Sequence, residues 1–452
     1  MRAKNTQMWV FSTLAKVKLL SNQQDSFMTK KKNKSGRRSF LLGLGAFNLV
    51  AFTQECRSSN VQTGEINEYL NKETQKQEEY SLRQLAASKG LIYGAYPQRE
   101  YSEFPKDLQF KDTFVRECAL LVGGFFGVSI GPVGEFPTGG NPMDKGLSYE
   151  ENTYNFEQPD SFFDFASKNN LIFRATPLIW NEFNSPWLVE KFKDSNTTAA
   201  EIDRIFTNHI AIVAGRYAGK VHSWDVVNEV INVDDGRDDK LKDTTKSGVR
   251  GENYPTWLNF LGPDYIERAF RLAAEVDPKA MLVYNDNGLS YSNIYGSSWD
   301  EARRAAVLQT LESLKGKGTP IHALGIQSHL DASRNQEFDA KKFRRFLSDV
   351  ATLGLKIIIS ELDVTDKNLP SDRVIRDRLV AETYYQYLSV ALDESAVIAV
   401  ISWGLSDRYT WLSDFDPRED GLPLRPLLLD PKLSRKASWW AVARAIKEAP
   451  KR

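Results

Sequence analysis

The chain has 452 residues, enough to bury one large hydrophobic core or two ordinary ones. Its 59 basic and 59 acidic residues cancel, so no net field argues for nucleic acid or an anionic membrane as a partner. Two cysteines, Cys56 and Cys118, exclude a disulfide framework and a cysteine-based metal site, and four histidines with no His-x-x-x-His pair argue against catalytic zinc. No metal and no other cofactor is expected.

Residues 1–36 are polar and basic, with Lys30-Lys-Lys-Asn-Lys34 as a charge run. Ser35-Gly-Arg-Arg-Ser-Phe-Leu-Leu42 follows, and then a mildly apolar stretch over 43–52. Twin arginines, a phenylalanine two places on, leucines and a weak hydrophobic stretch resemble a bacterial Tat export signal. That resemblance implies the Tat machinery as partner of the precursor and a periplasmic or extracellular destination. The apolar stretch is too short for a stable membrane span. Met28 would give a leader of more ordinary length. Residues 1–56 are accordingly read as the signal region and the polar stretch 57–79 as a flexible linker.

From residue 80 the composition becomes that of a packed domain. Apolar runs of strand length occupy 91–96, 119–125, 171–179, 221–229, 281–286, 323–330, 356–364 and 397–405. Helical periods fall between them, among them 201–217, 264–276, 301–314, 341–353 and 372–392, with 434–448 at the end. Eight strands alternating with helices predict an α/β fold, a single (β/α)8 TIM barrel. In such a barrel chemistry sits at the C-terminal ends of the strands. The long irregular stretches 131–158 and 232–259, which follow the second and fourth strands, belong on that same face.

Two of these strands end in acids. Val221-His-Ser-Trp-Asp-Val-Val-Asn-Glu-Val230 runs apolar into Asn228 and Glu229, and Lys356-Ile-Ile-Ile-Ser-Glu-Leu-Asp-Val364 delivers Glu361 and Asp363. A carboxylate at the edge of a core is costly unless it is paired or used. Two strands that each bring a glutamate to the same edge predict paired carboxyls facing one substrate, the arrangement that glycoside hydrolysis requires.

These residues also carry a family resemblance. Trp224-Asp-Val-Val-Asn-Glu229 and Ile359-Ser-Glu-Leu-Asp363 resemble the two catalytic signatures of glycoside hydrolase family 10, the family of endo-β-1,4-xylanases. Gly325-Ile-Gln-Ser-His-Leu330 resembles its sixth-strand motif. Ile401-Ser-Trp-Gly-Leu-Ser-Asp-Arg-Tyr-Thr-Trp-Leu412 resembles its eighth-strand motif, and Pro426-Leu-Leu-Leu-Asp430 the run that follows. The resemblance implies that residues 80–450 form the catalytic barrel of a retaining endo-acting enzyme on a polysaccharide or oligosaccharide. Glu361 would then be the nucleophile and Glu229 the acid and base, with carboxyls roughly 5–5.5 Å apart. Asn228 would hold the sugar 2-hydroxyl, Gln327 would line the floor, and His329 with Asp363 would orient Glu361. Trp180, Trp403 and Trp411 would wall the sugar.

The first half departs from the family pattern. The usual Glu-Asn-x-Met-Lys after strand two is Gly123-Gly-Phe-Phe-Gly-Val-Ser129, and the usual His-Thr-Leu-Val-Trp-His of strand three is Thr176-Pro-Leu-Ile-Trp-Asn181. After strand five the usual Asn-Asp-Tyr-Asn is Asn285-Asp-Asn-Gly288. A retained reaction centre with rebuilt glycone contacts leaves three readings: an endo-xylanase, a hydrolase or transglycosylase on another β-glycan, and a weakly catalytic glycan-binding barrel.

Overall fold

Each apolar run becomes a stave of one closed parallel sheet in the computed structural model of the protein, which describes residues 80–97, 106–125, 154–290 and 300–452. The signal region, the linker, residues 126–129 and most of the loop 131–158 with Lys145 lie outside the described residues. The strands are β1 (Ile92–Ala95), β2 (Leu120–Gly124), β3 (Ile172–Thr176), β4 (Ile179–Trp180), β5 (Ser223–Asn228), β6 (Met281–Asp286), β7 (Ala323–Ile326), β8 (His329–Asp331), β9 (Lys356–Thr365) and β10 (Val397–Ser402). β4 and β8 continue β3 and β7 beyond a break, so ten strands make eight staves. β10 pairs in parallel with both β9 and β1, which closes the ring as a (β/α)8 barrel.

The two breaks have local causes. Pro177, just past β3, lacks the N–H that a continuing ladder needs, and the chain resumes pairing only when Leu178 N donates to Asp225 O (2.8 Å). Ser328, between β7 and β8, takes a left-handed backbone (φ 62°) that no regular strand contains.

Parallel strands buried on both faces need apolar residues at nearly every position. Leu120, Val122, Val283, Ala323, Ile358, Ala399 and Ile401 fill the barrel interior. Their outward neighbours Leu121, Phe173, Trp224, Leu282, Leu324, Ile357 and Val400 pack beneath the helices. The helices read from the sequence form with small shifts at their ends, for example Ala199–Arg216, Tyr265–Val276, Ala340–Thr352 and Arg373–Ala391. Side-chain oxygens cap several of them: Asp372 accepts from Ile375 N (2.9 Å) and Asp339 from Lys341 N (3.1 Å). Among the described residues no helix is long and apolar enough to cross a membrane.

The seam between β10 and β1 is fastened from outside by one carboxylate. Glu117 ends the helix Leu108–Glu117 and is fully buried. It accepts hydrogen bonds from Leu82 N (3.1 Å), from Trp439 Nε1 (3.1 Å) and from Arg435 Nη2 (2.8 Å), tying the start of the described domain to the last helix, Ala437–Glu448. Removing one partner of a buried pair leaves the other charge unmatched. Glu117→Ala should therefore lower stability by about 3–5 kcal/mol, read as an earlier urea midpoint with an unchanged slope.

Candidate active site

β5 and β9, the two strands that end in acids, are separated in the ring by β6 and β7. The four C-terminal ends together build one polar mouth. In both acid-bearing strands the side-chain alternation is reset just before the polar residues. β5 advances from Asp225 to Val227 while β6 advances only from Val283 to Tyr284. β9 advances from Ile359 to Leu362 while β10 advances from Val400 to Ser402. Such an irregularity moves the residues after it to the other face of the sheet. It turns Asn228 inward beside Asn285, and it lets Ser360 and Glu361 both reach into the mouth.

Glu229 follows β5 with a left-handed backbone (φ 55°), a costly conformation for a residue with a side chain. Its N–H is held by Asn285 O (3.0 Å). Its carboxyl accepts Gln327 Nε2 on Oε1 (2.8 Å) and Trp180 Nε1 on Oε2 (3.0 Å). Burial pushes the Glu229 carboxyl up from the usual glutamate value. The Gln327 hydrogen bond and nearby Lys242 oppose that rise, while the charges of Glu361 and Asp286 add to it.

Glu361 has both oxygens engaged as well. Asn285 Nδ2 donates to Oε1 (2.7 Å), and His329 Nε2 lies 3.3 Å from Oε2. His329 Nδ1 lies 2.9 Å from Asp363 Oδ1, and Trp411 Nε1 donates to Asp363 Oδ2 (2.7 Å). Burial alone would lower the histidine pKa, but Asp363 foremost and then Glu361 carry it up to about 10. A protonated imidazole thus stands between two carboxyls, donating to both.

Asn285 joins the two halves. Its Nδ2 donates to Asn228 Oδ1 (2.9 Å) as well as to Glu361, and its Oδ1 accepts from Ser360 Oγ (2.7 Å). Asn228 Oδ1 also receives Gln327 Nε2 (3.2 Å). Two amide donors converging on one face of Asn228 make that face the oxygen. Its own Nδ2 donors then have no protein partner among the described residues. Trp403 stacks on Tyr96 (centroids 4.4 Å apart, planes 15°), and Trp411 meets Phe415 (4.7 Å). Trp180 stacks on Phe183 (5.0 Å) across the mouth from them.

Glu229, Glu361, Asn228, Trp180, Gln327, His329, Trp403 and Trp411, together with Asp363, therefore gather in one place. Asn285, Ser360 and Tyr96 belong with them and were not singled out. The signal for Asn285 was present: it stands at the end of an apolar strand, inside the retained first half of the Asn285-Asp-Asn-Gly288 stretch. Thr176 and Asn181, which stand where relatives carry histidines, are both buried. Asn181 accepts from Thr256 Oγ1 (2.9 Å), so it anchors the loop after β5. That loop reaches back over β4, where Lys242 pairs with Glu182 and Arg250 Nε donates to Glu182 O (2.8 Å).

The profile of glycosyl hydrolase family 10 matches residues 138–445. The chain belongs to glycosyl hydrolase family 10. Among relatives in this family, it is 32% identical over 311 residues to endo-1,4-beta-xylanase C of Paenibacillus barcinonensis, covering 65% of this chain and 26% of that protein. It is 30% identical over 301 residues to endo-1,4-beta-xylanase B of Thermotoga neapolitana, covering 66% of this chain and 76% of that one. The chain thus spans about a quarter of the first relative's length, and about 40% of endo-1,4-beta-xylanase A of Caldicellulosiruptor sp. strain Rt8B.4. The crystal structure of xylanase 10B from Thermotoga petrophila RKU-1 in complex with xylobiose superimposes with a TM-score of 0.66 at 26% identity, covering 81% of this chain and 97% of that chain. β1 and β2 lie before the stretch matched by the family 10 profile, and the second strand is where the sequence departs from the family motif.

Gly325 provides the space that Asn285 occupies: a Cβ on Gly325 would lie 2.1 Å from Asn285 Oδ1. Gly325→Ala should cost about 1–3 kcal/mol as overpacking, and much less in an Asn285→Ala background, where the opposing amide is gone. A denaturation cycle over the four proteins measures this. Equal costs in both backgrounds would mean that Gly325 is needed for some other reason.

Proposed function

We propose that the protein is a retaining endo-1,4-β-xylanase-type glycoside hydrolase acting on xylan or a related β-glycan. The observation that carries this reading is the hydrogen-bonded relay Glu229–Gln327–Asn228–Asn285–Glu361, which presents two carboxyls in contrasting surroundings to one mouth. Burial favours the protonated form of Glu229, while Glu361 is held by an amide donor and by a cationic histidine. An acid and a nucleophile need that contrast.

In the first step Glu361 attacks the anomeric carbon as the glycosidic bond breaks, and Glu229 gives its proton to the departing oxygen. The products are a glycosyl ester on Glu361 and a free sugar hydroxyl. In the second step the ionised Glu229 takes a proton from water, the water oxygen attacks the anomeric carbon, and Glu361 leaves as carboxylate. Two inversions retain the configuration. His329 and Asn285 keep Glu361 aimed, with Asp363 and Trp411 holding the imidazole from behind. The Asn228 Nδ2 donors are available for the 2-hydroxyl of the bound sugar. Trp180, Trp403 and Trp411 wall its faces.

Glu361→Ala should abolish retaining turnover, because the covalent step has no substitute group. In kcat/KM, which reports the first step, Glu229→Ala should slow natural glycans by about 10²–10⁴-fold and aryl glycosides with good leaving groups far less. Its kcat should fall on both, because the second step loses its base. Equal losses in kcat/KM on both substrates would remove Glu229 from the acid role. Because Glu229 must carry its proton in the first step, its raised pKa should place the basic limb of kcat/KM above the ordinary glutamate range. Glu229→Ala should remove that limb on activated substrates.

Residues 35–42 support export of the precursor through the twin-arginine route. Arg37→Lys with Arg38→Lys keeps the charge and changes the recognised side chains, so the precursor should stay in the cytoplasm on cell fractionation. Normal export of this double variant would leave a Sec-type signal or a plain basic tail.

A further inference from the structure

The mouth has a fixed cation at its rim that none of the roles above uses. Arg250 stands at the tip of a two-residue hairpin in the loop after β5. Val249 and Glu252 exchange both backbone hydrogen bonds (2.8 and 3.0 Å), and Arg250 and Gly251 are both left-handed, with φ of 49° and 85°. Such tips favour asparagine, aspartate and glycine, and an arginine there holds an unfavourable backbone. Its side chain is exposed and yet ordered from two directions. Cζ lies 3.7 Å over the Phe183 ring, and Nε donates to Glu182 O (2.8 Å).

Phe183 in turn stacks on Trp180, which hydrogen-bonds Glu229, so the guanidinium lies two stacked rings out from the acid. The neighbouring carboxylates are already paired, Glu182 with Lys242 and Glu252 with Lys193. The charge of Glu182 is thus shared with Lys242, and Arg250 makes no side-chain ion pair of its own among the described residues. Its Nη1 and Nη2 have no protein partner among the described residues. A planar fork held by stacking and presenting two free donors matches a carboxylate, and a neutral hydroxyl does not need it.

We propose that Arg250 binds the carboxylate of a uronic acid substituent carried by the β-glycan as the polymer lies in the mouth. This rests on the reading of the site as a β-glycan hydrolase and adds the class of substituent it prefers. The test compares wild type, Arg250→Asn and Arg250→Lys on xylan bearing glucuronic acid and on xylan bearing only neutral arabinose. Asparagine suits the left-handed backbone, so Arg250→Asn should fold at least as stably as wild type.

The expected result is a loss in kcat/KM of about tenfold or more on the acidic polymer for Arg250→Asn. A smaller loss is expected for Arg250→Lys, with rates on the neutral polymer unchanged. The wild-type preference should also weaken as salt is raised. A tryptophan-fluorescence titration compares a glucuronic-acid-substituted xylo-oligosaccharide with its carboxyl-reduced counterpart, independently of turnover. Wild type should bind the acidic form about tenfold more tightly, and Arg250→Asn should bind both equally. Equal losses on both polymers, or equal wild-type affinity for the two oligosaccharides, would overturn the proposal. Failure to hydrolyse either polymer would instead count against the hydrolase reading, with the titration still deciding on Arg250.

Discussion

Asn285 has two amide hydrogens and spends one on Asn228 and the other on Glu361, while its oxygen is held by Ser360 and its backbone oxygen takes the Glu229 N–H. Asn228 on β5 and Ser360 and Glu361 on β9 are thus all tied to one side chain on β6. The side chain is fully buried, so a lost partner could not be replaced by water without opening the barrel. The space it fills is kept by Gly325 on β7, where even a methyl group would collide. This one packing constraint sets how the two glutamates face each other, and the aromatic walls add shape around a geometry already set.

The contrast between the glutamates follows from what surrounds each of them. Glu229 receives only neutral donors, Gln327 and Trp180, and loses water, so burial is the dominant influence and favours the protonated form. Glu361 faces His329, whose proton is secured by Asp363 behind it, and Asp363 is itself held by the Trp411 indole. A charge-assisted contact behind one carboxyl and neutral contacts behind the other leave the pair in the contrasting surroundings that the proposed acid and nucleophile roles require. The same economy of surroundings recurs farther out. Glu182 and Glu252 near Arg250 are each matched by a lysine, and the arginine makes no side-chain ion pair among the described residues.

Much of this was legible along the chain. Parallel strands buried on both faces read as continuous apolar runs, and helices between them read at their own period, so the eight-stave barrel and its order follow from local pattern alone. The rule that chemistry sits at the C-terminal ends of such strands then selects Glu229, Glu361, His329 and their neighbours from among many acids and histidines. The runs 171–179 and 323–330 read as single strands, whereas each breaks in two. Pattern shows hydrophobicity, and the breaks come from the missing N–H of Pro177 and the left-handed turn at Ser328.

The sequence by itself determined the barrel, the family and the identity of the two facing acids, because each depends on residue type at regular spacing. Only the tertiary structure decided which polar groups touch. The irregularities in β5 and β9 swing Asn228, Ser360 and Glu361 to the inner face, against simple alternation. Asn181 became a loop anchor on Thr256. Asn285 became the centre of the mouth, and Arg250 became a fixed cation at its rim. Each of those outcomes depends on contacts between residues far apart in the chain, such as Asn285 with Glu361 (76 positions), Asn181 with Thr256 (75) and Arg250 with Glu182 (68). No local pattern encodes which partner a buried amide will meet once the ring has closed.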